Sequence, residues 1–216
     1  MTSEQVAAPV YQGQFGTFSI TAADRQEVKV YRGGLAIAAL CLAIGSALVG
    51  WQGSQPWVLQ TLTVLYAGFW LALGVSLMKI HIYLKPLHQL LKLFWLMGGV
   101  ASLALAIIYP TPLLLTLYQQ PLTLLGAGFT FAALTGIFFK EAFCFGRLET
   151  QLLTPIVPTL LLGHLLGWLP PLWEGWLLAA WASLFLIFAG RKAVQAIPDD
   201  IGDKSVFAYL QQQAAQ

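Results

Sequence analysis

Charge is what this chain has least of: Asp, Glu, Lys and Arg make up 9% of its 216 residues while 58% are hydrophobic, and a soluble domain carries roughly 25% charged residues. That balance excludes a water-soluble core. Cysteine is nearly absent, with only Cys41 and Cys144, so there is no disulfide framework. The phosphate-cradling glycine-lysine loop, the dinucleotide glycine pattern, the His-Glu-x-x-His helix and clustered histidine boxes are missing. No cofactor is predicted. The first 20 residues have neither the charged start and apolar run of a secretory signal nor the arginines of a transit peptide. They read as a soluble flap, with Tyr11, Phe15 and Phe18 available to touch the membrane surface or a neighbour. A net charge of +2, dispersed between apolar stretches, gives no face that could track phosphates along a nucleic acid.

What the chain has is six apolar stretches: Gly33–Trp51, Pro56–Met78, Leu93–Tyr109, Leu122–Phe139, Leu152–Leu169 and Leu172–Gly190. As helices rising about 1.5 Å per residue, each matches a hydrocarbon layer about 30 Å thick. Arg25, Lys29, Arg32, Lys79, Lys85, Lys92, Lys140, Arg147, Arg191, Lys192 and Lys204 all fall in the two tails or in alternate connections, and the other three connections carry no Lys or Arg. Positive charge collects in short cytoplasmic loops. The expected fold is therefore all-α: a polytopic bundle of six transmembrane helices with both termini cytoplasmic. Residues 1–32 form a cytoplasmic segment, 33–190 the transmembrane domain and 191–216 a cytoplasmic tail. In that tail Asp203 to Gln213 is expected to form one short amphipathic helix, with Asp199, Asp200 and Asp203 as its caps rather than as ligands of a divalent ion.

Thr21-Ala-Ala-Asp24 has capping-box spacing and marks a helix start. Trp51, Trp57, Tyr109, Tyr118, Trp168, Trp173 and Trp176 flank the uncharged connections, where amphipathic rings anchor at headgroup level. The shared Gly-Trp entry and Trp-closed turn at Gly50-Trp51 and Gly167-Trp168 read as anchoring or as the trace of a duplicated hairpin. Pro110 to Pro121 is too short to span and is expected to lie along the outer interface. Small residues from Gly33 to Gly50, and the pair Gly163 and Gly167, are expected to let helices approach closely. Pro155 and Pro158 are expected at the inner start of the fifth span, in a first turn or at a kink.

Three places carry candidate chemistry. The first is the connection Phe139 to Thr150, where Lys140, Glu141, Cys144, Arg147 and Glu149 interleave with phenylalanines. If helical, it sets Lys140, Cys144 and Arg147 on one face, and two cations beside a thiol favour the thiolate. The structural alternative has the cations reaching for the interface, the carboxylates paired with bases elsewhere and Cys144 packed. The second is His164 among Leu and Gly, either hydrogen-bonded to a neighbouring helix or ligating haem or a pigment. The third is Lys79, His81, Lys85, His88 and Lys92, an interfacial amphipathic connection for anionic lipid or an acidic partner, interrupted by Pro86. Metal is not predicted, since His81 and His88 are poorly spaced ligands with no nearby Cys or carboxylate.

The run Lys140-Glu141-Ala142-Phe143-Cys144-Phe145-Gly146-Arg147-Leu148-Glu149, followed by Thr154-Pro155, resembles an uncharacterised integral membrane protein family of cyanobacteria and plastids, a domain of unknown function. The resemblance extends over most of the chain from about Thr21. It implies a bacterial plasma or thylakoid membrane and brings no catalytic residues with it. Three functions fit: a non-catalytic accessory or assembly factor docking on a membrane complex through the 140–149 face, a small transporter or channel, and an interfacial enzyme using Cys144. The first is favoured, because no acidic side chain is expected within the spans, where His164 and the Cys41 thiol are the ionisable groups, and Cys144 has no evident base.

Overall fold

The computed structural model describes residues 9–82, 84–198 and 201–214. The capping box forms as the sequence requires. Thr21 Oγ1 accepts the Asp24 N–H, and Asp24 Oδ2 accepts the Thr21 N–H at 2.8 Å. From that cap α1 (Ala22–Gln52) runs 31 residues without a break, so the first span is the continuation of an amphipathic lead. Helices α2 (Pro56–Lys79), α3 (Lys85–Ile108) and α8 (Pro171–Val194) each start with proline in the first turn, where its missing N–H costs nothing.

Each of the six apolar stretches is largely helical. The fourth falls on the short α5 (Leu124–Ala127), preceded by a 3₁₀ turn at Pro121–Thr123, and on α6 (Phe129–Phe145). The fifth falls on α7 (Leu148–Leu165). Four helices, α1, α2, α3 and α8, are long and apolar enough to cross a membrane. A fifth crossing is added if Pro121–Ala127 and Phe129–Phe145, bent by 59°, count as one broken span. Helix α7 is not among them, because Glu149 at one end and His164 at the other shorten its apolar run. Pro155 and Pro158 lie inside it, further along than a first-turn proline, and Thr154 Oγ1 donates back to the Thr150 carbonyl just ahead.

Helix α1 packs against α2 and α8, α3 against α6, and α7 against both α6 and α8. Close approaches depend on glycine where side chains fill the space a Cβ would need. Gly34 lies against Ser76 and the Ala72 carbonyl, bringing α1 onto α2. Between α2 and α3, Trp70 and Trp95 stack at 4.3 Å, and each indole N–H donates to the other's carbonyl. Gly74 and Gly99 lie under these two rings. The Tyr66 hydroxyl joins Ser102 on α3, at 2.6 Å, to Thr130 on α6.

The segment 110–121 contains α4 (Leu113–Gln119), which buries Leu113, Thr116 and Leu117. One expectation is corrected. Gly163 and Gly167 do not form a helix-packing face. Helix α7 ends before Gly167, which takes φ 67°, and the Trp168 N–H returns to the Gly163 carbonyl. The flap is a β-hairpin, β1 (Val10–Gly13) paired antiparallel with β2 (Gly16–Ser19). It rests on the last helix, α9 (Ser205–Ala214): Phe15 stacks on Tyr209 at 4.0 Å, and the Phe15 N–H donates to Ser205 Oγ. Asp203 accepts the Ser205 N–H as a cap, while Asp199 and Asp200 lie outside the described residues.

Candidate functional site

At the tryptophan-bearing end, α1, α2, α4, α7 and α8 line an open-sided cavity of about 530 Å³. Its wall is almost wholly apolar, built from residues such as Leu42, Leu62, Leu114, Leu161 and Leu178, and it falls within the roughly 300–1,000 Å³ of small-molecule sites. Polar groups enter at few points. Trp181 lines the cavity and is 2% exposed, and its indole N–H has no acceptor. His164 and Glu174 also line it, with Nδ1 and Oε1 2.7 Å apart, and His164 Nε2 lies 3.0 Å from the Tyr118 carbonyl. The Tyr118 ring stacks on the imidazole at 4.8 Å.

A carbonyl only accepts, so the contact to Tyr118 is made by an Nε2–H. Both ring nitrogens are engaged, so ligating haem iron or a pigment metal would break one of these bonds. Glu174 lies within the stretch Leu172–Gly190, which corrects the expectation that the spans hold no acidic residue. As the only acid in that stretch, it was the available signal for a partner to His164.

The opposite end gathers the basic residues. Helix α6 stops at Gly146, whose φ of 58° is the left-handed terminator. Lys140 and Cys144 therefore sit on α6 while Arg147 and Glu149 open α7, so Lys140, Cys144 and Arg147 do not share one helix face. Glu141 is fully buried. Its carboxylate takes Lys192 at 2.6 Å, Lys140 at 3.0 Å and the Tyr31 hydroxyl at 2.9 Å. The Lys192 ammonium also lies 3.9 Å from the Phe145 ring centroid. Glu149, 4% exposed, takes Arg191 at 2.9 Å, and Arg147 lies 3.7 Å away. Cys144 is exposed. Lys192, Tyr31 and Arg32 complete this cluster and escaped the sequence reading, since their partners are far away in the chain.

The residues Lys79 to Lys92 do not form one amphipathic surface segment. Helix α2 ends at Lys79, Ile80 and Ile82 turn inward, and α3 opens at Lys85 with Pro86 in its first turn, where the missing N–H costs nothing. Lys85 and Lys92 therefore lie on α3. His88 Nε2 bonds the Leu77 carbonyl. Lys79 pairs with Glu27 at 2.8 Å, and His81 lies 3.8 Å from the same carboxylate. Burial holds the His81 imidazole below its ordinary range, against the pull of Glu27 and Asp24. Asp24, Glu27 and His81 bring donor atoms within 4.8 Å of one another. Lys204 already bonds Asp24 and Lys79 already bonds Glu27, which suits an ion-pair network better than a cation.

Residues 75–209 match the sequence model of a family described as uncharacterized integral membrane protein (DUF2301). No curated protein and no solved structure matches the chain.

Proposed function

The chain belongs to the DUF2301 family of uncharacterised integral membrane proteins, and from that premise we propose that it is a non-catalytic, six-span protein that holds a membrane-soluble guest. The guest occupies the cavity between α1, α2, α4, α7 and α8. The carrying observation is the cavity itself, an apolar, open-sided pocket with the Trp181 donor and the His164–Glu174 pair as polar points. That chemistry suits a molecule with a long apolar body and one hydrogen-bonding group.

The topology proposed is both termini on the cytoplasmic side. In support, basic residues at the ends of α2, α6 and α8 and at the starts of α1 and α7 are joined by ion pairs and hydrogen bonds at one end of the bundle. In a cyanobacterial or plastid setting the membrane is the plasma or thylakoid membrane, and the role is that of an accessory or assembly factor. Transport fits less well, because the buried aromatics Phe131, Phe138, Phe185 and Phe188 lie between the cavity and the Glu141 cluster. Catalysis at Cys144 fits less well too, since the thiol is exposed and no histidine stands beside it in the sequence.

The test is thermal unfolding in mild detergent after exhaustive delipidation, with a panel of membrane-soluble compounds added back. A compound that stabilises the wild type should fail to stabilise Leu62→Trp and Leu161→Trp, which fill the cavity from opposite walls. Equal stabilisation of all three proteins would remove the cavity from the account.

A further inference from the structure

At the basic end, among the described residues, the five cations Arg32, Lys140, Arg147, Arg191 and Lys192 gather around two carboxylates, Glu141 and Glu149. Both lysines are spent on Glu141, and Arg191 holds Glu149. Arg32 is 8% exposed, and among the described residues its guanidinium meets no carboxylate within ion-pair distance. It donates instead to the main-chain carbonyls of Gln195 and Ala196. Arg147 NH2 donates to the side-chain oxygen of the same Gln195 at 2.9 Å. Two guanidinium groups thus converge on one residue.

Each has a donor left over. Arg32 Nε and Arg147 NH1 are buried with no hydrogen-bond acceptor, the latter 3.7 Å from Glu149 Oε1, too long for a bond. Buried donors of charged groups are costly when unmet, and a guanidinium fork suits an oxyanion with several acceptor oxygens. We propose that Arg32 and Arg147, gathered around Gln195 between α1, α7 and α8, bind a phosphate-bearing anion. The position suits a phospholipid headgroup: it lies at the basic end of the bundle, and exposed Leu148 and Leu152 follow Arg147 along α7 as a surface for acyl chains. Glu149 borders the site: Arg191 holds its Oε2 at 2.9 Å, while its Oε1 has no hydrogen-bond partner and lies 3.7 Å from Arg147, so an anion binds there against one carboxylate oxygen. This site is separate from the guest cavity and does not depend on it.

The experiment uses the full chain, delipidated in neutral detergent, and measures binding by thermal shift and native mass spectrometry. The probes are phosphatidylglycerol, phosphatidylcholine and inorganic phosphate. Phosphatidylglycerol should bind, and Arg32→Gln and Arg147→Gln should each weaken it about tenfold or more, as loss of a charge-assisted hydrogen bond predicts. Arg32→Lys should recover little, since an ammonium lacks the fork. Saturation by inorganic phosphate alone, with the same sensitivity to both arginines, would support the anion site with a soluble ligand as its source. Phosphatidylcholine binding as well as phosphatidylglycerol, or affinities unchanged in both glutamine variants, would overturn the proposal. If Arg32→Gln does not fold, Arg147→Gln alone decides.

Discussion

Removing the carboxylate of Glu141 should cost more stability than almost any other single change at the basic end. Its side chain is fully enclosed and takes two ammonium groups and a tyrosine hydroxyl. Lys192 is 6% exposed at the side chain, so Glu141→Ala strands a buried cation beside the rings of Phe145 and Tyr31 with its carboxylate gone. Breaking one partner out of a buried ion pair costs about 3–5 kcal/mol. Lys140, more exposed at 17%, relaxes toward water and adds little. Replacing both members, Glu141→Leu with Lys192→Met, removes the stranded charge and should recover most of the loss. The assay is a double-mutant cycle on unfolding free energies, read by denaturing-detergent titration in micelles. The expected coupling between the two sites is about 2 kcal/mol or more, within the range for residues in one network. Additive losses, or a Glu141→Ala protein as stable as the wild type, would refute the burial argument. Unchanged stability in that variant would also return Glu141 to the surface role of partner docking.

Other perturbations separate packing from electrostatics. Gly74→Ala places a Cβ 2.4 Å from the Trp95 ring, so it should cost about 1–3 kcal/mol and shift tryptophan near-UV dichroism. Hydrogen bonds from Thr21 and Lys204 outweigh the effect of burial and hold the Asp24 carboxyl at about 2 instead of 3.8. The folded value lies below the unfolded one, so this stabilisation is present above pH 3.8 and lost as pH falls toward 2. Asp24→Asn should flatten that limb of an acid titration of stability. Glu174→Gln leaves His164 with a neutral partner. It should cost about 1–3 kcal/mol, and His164→Ala should make it nearly silent in a cycle. Cys144→Ser should leave stability within about 0.5 kcal/mol, and the wild-type thiol should react readily with a polar maleimide.

The helices were legible because lipid demands long apolar runs, and the Thr21 cap because its two bonds lie within four residues. Helix α7 was legible as apolar yet less so as a span, since Glu149 and His164 at its ends serve partners on α8. The reach of Tyr31 to Glu141, across 110 residues, has no local signature, and neither does Lys192 to Glu141 across 51. The polar groups of 140–149 stand out in the sequence, but Glu141 and Glu149 face inward onto bases of α8, which spacing along a single helix cannot reveal. The kink at Gly146 decided this, because it places Cys144 and Arg147 on different helices. The cavity was invisible in the sequence. It arises where α4 folds back into the bundle, and a short proline-bounded segment reads equally well as an interfacial loop.

Native mass spectrometry of the protein released directly from its own membrane tests the guest-binding account most directly. The account predicts a discrete added mass of one membrane-soluble species on the wild type, lost in Leu62→Trp and Leu161→Trp while both variants remain folded. An unliganded wild type, or the same added masses on all three proteins, would contradict it.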